Sequence, residues 1–269
     1  MQRDLQWPGS LLLKEAVRYL SIVEFDLQNG SAATAQHAIR PEPLALFCHE
    51  LLPSGLITRI DNDSDSGFYG PLEVSSLATR AASAIANISD ADESLLQETL
   101  LKFLTLAQND SMPDATHSCW LCIRMTLPTP VWTIPRWHMD GRMLDCSCPS
   151  PQLPHSKYAF TILGPSTRAM STNPAVHATL MTPLSTGQCA DPNEPNAELA
   201  AILAKHQEVT VEPGQIIRFS WGQPDSPVHS EPDSSSSMRL FISILLGREA
   251  ELRDMCDFRG QEYGVWYNN

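Results

Sequence analysis

Hydrophobic positions along the chain follow two rhythms that meet near residue 112. Before that point the spacing is helical. Leu72, Val74, Leu77, Ala81, Ala84, Ile85 and Ile88 recur roughly every 3.6 residues and predict a helix over 72–88. Leu95, Leu96, Leu100, Phe103, Leu104 and Ala107 form one apolar stripe, predicting a second helix over 91–108. Ser89 or Asp90 is the expected cap, with Asp92 and Glu93 in the first turn, where acidic side chains favour the helix dipole. A short helix is expected over 42–52, where Leu44, Leu46, Phe47, Leu51 and Leu52 lie between prolines.

After residue 112 the period falls to two. Leu121, Ile123, Met125 and Leu127 alternate with Trp120, Arg124 and Thr126, the pattern of a strand with one buried face. Further strands are expected over 131–139, 157–163, 176–182, 207–211, 215–221 and 238–246, separated by Pro, Gly and Ser clusters. Many short strands without intervening helices favour a sandwich or barrel over βαβ units. The reading is therefore a single domain. A helical N-terminal region, 1–112, buttresses a β-rich body, 113–247, and a tail follows over 248–269. Two insertions interrupt the body, 141–156 and 183–198, both rich in proline.

Composition narrows the function. The chain of 269 residues carries 18 Lys+Arg against 31 Asp+Glu, a formal net charge of −13. It lacks the basic stripe that nucleic-acid binding requires, and anionic membrane surfaces would repel it. No apolar stretch reaches the ~18 residues of a membrane span. Seven cysteines, an odd number scattered through the chain, fit reduced thiols better than a disulfide framework. A cytoplasmic protein, monomeric or homodimeric, acting on a small molecule is the expectation.

The sharpest local feature is Trp137-His138-Met139-Asp140. On an extended segment, residues two apart share a face, so His138 and Asp140 present two adjacent metal ligands. A further ligand must come from elsewhere in the chain. Downstream, Pro213-Gly214 leads into the strand Gln215-Ile216-Ile217-Arg218-Phe219, then to His229, and Arg239 follows ten residues later on the last strand.

In this arrangement the chain resembles the iron(II)- and 2-oxoglutarate-dependent dioxygenases over residues 115–246. Their pattern is His-x-Asp/Glu, a distal His, and an Arg or Lys about ten residues further on. The resemblance implies an α+β, mainly β fold: a double-stranded β-helix (jelly roll, cupin-like) with the N-terminal helical region on one sheet. It implies that His138, Asp140 and His229 hold iron(II), that 2-oxoglutarate and O2 are cosubstrates, and that Arg239 binds the distal 2-oxoglutarate carboxylate. Ser243, Thr161 or Tyr158 is expected to supply a hydroxyl beside Arg239. Phe241 stands where some relatives carry the Ser of Arg-x-Ser. Asp140 occupies a position that is small in relatives that halogenate, which favours hydroxylation, desaturation or ring formation. Arg142, Arg168 and Trp221 are candidates for substrate contact.

Other readings of the residues stay open. The chain could be a jelly-roll binding module with structural histidines, or a cupin-type metal enzyme that does not use 2-oxoglutarate. Cys119, Cys122, Cys146 and Cys148 could bind zinc. Asp61-Asn62-Asp63-Ser64-Asp65 opens like a calcium loop but meets Leu72 where the closing Glu belongs, so a solvated loop is expected. Tyr158 and Thr161 lie three apart, so only one of them can face a given side of a regular strand.

Overall fold

The computed structural model describes residues 42–47, 52, 53, 55–111, 117–140, 155–221, 223, 225–250, 252 and 253. Its main feature is a six-stranded antiparallel sheet. The strands are β1 (Leu44–Phe47), β2 (Ser64–Pro71), β3 (Ser118–Thr126), β4 (His155–Leu163), β7 (Ile216–Trp221) and β9 (Arg239–Gly247), in the spatial order β1-β7-β4-β9-β3-β2. A smaller sheet holds β5 (Arg168–Met170), β6 (Glu208–Val209) and β8 (His229–Ser230), in the order β6-β5-β8. Its edge is extended by an isolated bridge between His138 and His229.

Alternation along the strands separates the two faces of the large sheet. One face carries Leu121 and Ile123 from β3, Phe160 and Ile162 from β4, Ile216 from β7, and Leu240, Ile242 and Ile244 from β9. It packs on helix α1 (Val74–Ala86) and helix α2 (Glu93–Asp110), which contribute Leu77, Ala81, Ile85, Leu96, Leu100, Phe103 and Leu104. Phe103 and Phe160 stack with centroids 5.4 Å apart across this layer. Burial of each such large side chain stabilises the fold by about 1.5–3 kcal/mol.

The opposite face carries Lys157, Ala159 and Thr161 from β4. Register sets these beside Ile217 and Phe219 of β7, and beside Phe241 and Ser243 of β9. This face turns toward the small sheet, as the Phe219–His229 ring contact at 4.7 Å shows.

Several sequence expectations need correction. Residues 44–47 form β1, not helix: Leu44–Phe47 pair with Phe219–Ile216 and complete the edge of the sheet. Ser64–Asp65 belong to β2, paired with β3 through Met125 and Arg124, so the acidic stretch is only partly a loop. Residues 174–181 form helix α3 (Pro174–Met181) in place of a strand. Pro174 fits its first turn, and the Asn173 side chain accepts from the Ala175 N–H, a capping interaction that outweighs the alternation read from 176–182. The insertion 183–198 runs into a further helix, α4 (Ala197–Leu203), capped by Asn196. Residues 131–139 are not a strand: a 3-10 turn at Pro130–Trp132 is followed by the lone bridge at His138.

The helix expected over 91–108 is present as α2. Asp92, however, is its cap and accepts from the N–H groups of Ser94 and Leu95, while Asp90 instead accepts from those of Thr58 and Arg59. Residues 42–111 thus combine two helices with two strands, and residues 1–41 of the expected buttress lie outside the described residues. No described helix is long and apolar enough to cross a membrane.

Candidate metal centre

Two histidines meet backbone to backbone. The His138 N–H donates to the His229 carbonyl and the His229 N–H donates to the His138 carbonyl, both at 2.9 Å. Their rings lie 4.4 Å apart. The residues before them, Trp137 and Val228, enter one satellite core with Met170, Val176, Leu199 and Leu203. Helices α3 and α4 therefore clamp the chain on one side of the bridge, and His138 and Asp140 fall on the other.

The ligand atoms of His138, Asp140 and His229 all lie within 4.8 Å of one another, and among the described residues this is the group arranged to hold a metal. His138 Nε2 is 3.8 Å from Asp140 Oδ1, and His229 Nε2 is 3.6 Å from Asp140 Oδ2. In each ring Nδ1 faces a backbone carbonyl, Arg136 O at 2.8 Å and Pro227 O at 3.0 Å. A neutral imidazole donating from Nδ1 leaves its lone pair on Nε2, aimed at the carboxylate. Burial, reinforced by His229 and Arg136, pulls His138 down to about 3, so this ring is neutral near pH 7. Burial alone would raise the Asp140 carboxyl. Lys157 and the two imidazoles outweigh it and hold Asp140 well below the usual carboxylate range. Two neutral nitrogens and one carboxylate oxygen fit a divalent first-row metal and suit iron(II).

Cations surround this centre. Lys157 Nζ donates to Asp140 Oδ2 at 2.7 Å. Arg136 donates from Nε and Nη2 to the Glu231 carboxylate and from Nη1 to the Pro192 carbonyl, and its Nη2 stands 3.3 Å from His138 Nε2. A metal at that nitrogen requires the guanidinium to keep to Glu231 and Pro192. Burial raises Glu231, but the Arg136 hydrogen bonds outweigh it and bring the carboxyl down to about 2.

Arg239 lies on the same side of the sheet, at the start of β9. It donates from Nε to the Pro165 carbonyl at 3.1 Å and from Nη2 to Thr167 Oγ1 at 3.0 Å, and its guanidinium lies over Phe241. Gly164 makes this fit possible: at φ +82° it passes so close to β9 that a Cβ would clash with the Met238 carbonyl oxygen. Thr167 is two residues before Ala169, which pairs with His229, so Arg239 reaches the segment that leads into the strand beside His229. Only 7% of Arg239 is exposed, and among the described residues no carboxylate lies within ion-pair distance. Burial lowers it to about 10, so it keeps its charge at neutral pH. Glu231 favours that charge from beyond ion-pair distance, and a buried guanidinium without a direct ion-pair partner is costly unless an anion joins it.

The remaining candidates divide. Thr161 and Ser243 are buried on the site side of the sheet, opposite Phe241 and Ala159 respectively. Tyr158 is set apart: it faces the helices and donates to Asp110 Oδ2 at 2.8 Å, so its hydroxyl does not stand beside Arg239. Arg168 pairs with Glu208 and lies over the Trp137 ring, while Trp221 packs with Trp120, Leu245 and Leu252. Arg142, Cys146 and Cys148 lie outside the described residues. Cys119 is buried toward the helices and Cys122 falls on the other face of β3, so the two do not converge. In the acidic stretch, Asp61 pairs with Arg59, Asp63 accepts from the Leu127 N–H, and Asp65 approaches Arg124. Those carboxylates point to separate partners.

Sequence reading missed Lys157, Arg136, Glu231 and Phe219. A signal for the first was present: in Lys157-Tyr158-Ala159-Phe160-Thr161, alternation puts the lysine on the side of Ala159 and Thr161, an odd place for a solubilising charge.

No family model matches the chain, and no curated protein matches it. Among the solved structures that resemble it are two prolyl hydroxylases. One is a prolyl-4-hydroxylase from Pseudomonas putida, 11% identical, covering 77% of this chain and 92% of its own, with a TM-score of 0.34. The other is a viral collagen prolyl hydroxylase from Paramecium Bursaria Chlorella virus-1, 12% identical, covering 82% of this chain and 99% of its own, also with a TM-score of 0.34. Such a likeness is coarse, and the chemistry of the site is read from this chain's own side chains.

Proposed function

We propose that the chain is a non-haem iron(II)- and 2-oxoglutarate-dependent oxygenase that oxidises a C–H bond of a small molecule, by hydroxylation, desaturation or ring closure. One observation carries the reading: His138, Asp140 and His229 gather their ligand atoms within 4.8 Å, on the side of the sheet where Arg239 lies buried without an ion-pair partner among the described residues. Iron(II), when bound, supplies the O2 and redox chemistry that no protein side chain offers. The chain's own part is to hold and orient. The Arg136 and Pro227 carbonyls fix the imidazoles through Nδ1. Arg239 offers a permanent, planar cation to the distal carboxylate of 2-oxoglutarate, with the Thr167 hydroxyl hydrogen-bonded to it and Thr161 on the same face of the sheet. Phe219 and Phe241 line the same face and exclude water. The acidic surface charge agrees with a small-molecule substrate rather than a nucleic acid.

Anaerobic titration tests the reading. Stoichiometric iron(II) uptake is expected, followed by a visible charge-transfer band on adding 2-oxoglutarate, and His138→Ala should abolish both. A wild-type protein without iron uptake, or a His138→Ala protein that turns over 2-oxoglutarate at the normal rate, would overturn it.

A further inference from the structure

We infer that Lys157 is a positioning residue of this centre, whose ammonium holds one oxygen of Asp140 so that the carboxylate meets a metal through the other oxygen alone. The inference rests on the oxygenase reading above and adds a residue that the metal-ligand pattern does not contain.

The geometry begins with an ambiguity at Asp140. Its oxygens are almost equally placed: Oδ1 lies 3.8 Å from His138 Nε2, and Oδ2 lies 3.6 Å from His229 Nε2. Nothing in those distances prevents the carboxylate from chelating a metal with both oxygens. Lys157 removes the symmetry, because its Nζ donates to Oδ2 at 2.7 Å. A short hydrogen bond from a cation is among the strongest a carboxylate can accept; it engages one lone pair of Oδ2 and draws electron density from that oxygen, which disfavours a second metal bond there. Oδ1, the oxygen nearer His138, is left as the ligand.

The placement of Lys157 is fixed from several sides. β4 pairs it with Phe219 on one flank and Leu245 on the other. Its ammonium lies 5.4 Å from the Phe219 ring centre, and Phe219 in turn packs on the His229 ring. Only 18% of its side chain is exposed, and among the described residues Asp140 is its hydrogen-bonding partner.

The consequence is chemical. A site of two imidazoles and one carboxylate serves oxygenases because it leaves coordination positions open. A chelating carboxylate takes one of them, at the expense of a cosubstrate that must itself bind through two atoms. Lys157 thus protects the position on which 2-oxoglutarate binding depends.

The test uses cobalt(II) as the probe, in the full-length chain, read by its visible spectrum without 2-oxoglutarate and then by calorimetry with it. Lys157→Met is expected to keep cobalt(II) binding but alter the cobalt spectrum before any cosubstrate is added. It should also weaken 2-oxoglutarate binding to the cobalt-loaded protein by about 10–100-fold, the usual scale for losing a group that orients a ligand. Lys157→Arg should restore the spectrum and most of the affinity. Lys157→Gln keeps a donor without the charge and guards against a folding defect in the Met variant. An unchanged cobalt spectrum in both Lys157→Met and Lys157→Gln overturns the inference, even where cosubstrate affinity falls, because the lysine would then touch the cosubstrate and not the ligand. The oxygenase reading is judged separately: it survives if His138→Ala loses cobalt(II), and it falls, taking the inference with it, if His138→Ala binds cobalt(II) like the wild type.

Discussion

The two faces of the large sheet are built from the same strands and do opposite work. Toward α1 and α2, β9 presents Leu240, Ile242, Ile244 and Leu246. Toward the small sheet it presents Arg239, Phe241 and Ser243. β4 repeats the division, with Phe160 and Ile162 against the helices, and Lys157 and Thr161 on the face toward the small sheet. The helix side is stabilised by area and shape, a non-directional effect. The site side adds Lys157 and Arg239 to its apolar residues, and such buried charge stabilises only where a counter-charge or ligand meets it. Stability and function are therefore segregated by residue parity along single strands. Substitutions one position apart should fail in different ways.

The largest separation is expected between Phe103 and Arg239. Phe103→Ala removes the ring stacked on Phe160 in a fully buried layer and should cost about 3–5 kcal/mol of stability. Folded Phe103→Ala protein, assayed at low temperature, should keep its 2-oxoglutarate requirement. Arg239→Met should do the reverse. It deletes a buried cation that has no carboxylate within ion-pair distance among the described residues, so the denaturation midpoint should hold or rise. The cosubstrate should lose about 2–5 kcal/mol of binding, an increase in requirement of roughly thirtyfold or more. Urea midpoints and cosubstrate kinetics on the two variants check both halves. A large loss of stability in Arg239→Met with unchanged kinetics would place the arginine in the scaffold.

pH separates the faces a second time. His138 is held at about 3 against an ordinary value near 6.5. Below pH ~6.5 the unfolded chain takes up a proton that the folded chain refuses, so stability falls as pH drops from there toward 3. The lowered carboxyls of Asp140 and Glu231 act in the same direction once the pH passes below ~4. The helix side titrates at the other end. Burial pushes the Cys119 thiol up to about 12, and burial together with Asp110 raises Tyr158 above its ordinary value near 10. Both favour the fold below their unfolded values and lose that contribution as pH rises through roughly 9–10 and beyond. Chemical denaturation of chelator-treated protein across pH should therefore show an acid limb that His138→Phe flattens, and an alkaline limb that this variant leaves in place.

How much of this was legible in the sequence follows from how local each signal is. The helices expected over 72–88 and 91–108 and the strands expected over 119–127, 157–163, 215–221 and 238–246 carry their own periodicity, and the structure has them at 74–86, 93–110, 118–126, 155–163, 216–221 and 239–247. Spacing alone also gave the pairing of His138 with Asp140, and the distal His229 and Arg239 sit in the order the resemblance implies. Errors fall where tertiary pairing or capping overrides pattern. The segment 44–47 looks helical by composition but completes a sheet edge on β7. The segment 176–182 alternates like a strand but is started as a helix by Asn173 and Pro174. Alternation hinted that Lys157 is inward-facing, but its partner, like that of Arg136, is set by tertiary pairing with residues 17 and 95 positions away, Asp140 and Glu231. No local period encodes such distances.

The smallest predicted effect decides the assignment of faces most finely, because it compares two hydroxyls three positions apart on one strand. Tyr158 donates to Asp110 Oδ2 at 2.8 Å, and Arg218 Nη1 donates to the same oxygen at 3.1 Å. Tyr158→Phe removes one of the two donors and keeps the ring in the helix-side core. Arg218 still satisfies the carboxylate, and about a quarter of the Asp110 side chain is open to water (26% exposed), so the loss should stay within about 0.5–1.5 kcal/mol of stability. The requirement for 2-oxoglutarate should not move. Thr161→Val preserves shape and removes the hydroxyl on the site side, where Thr161 lies opposite Phe241. It should raise the cosubstrate requirement by up to about tenfold, the kinetic equivalent of one ordinary hydrogen bond. Steady-state kinetics and urea midpoints on the two variants suffice. If Tyr158→Phe raised the requirement while Thr161→Val left it unchanged, the parity of β4 relative to the site would be reversed, and with it the placement of Lys157 beside Asp140.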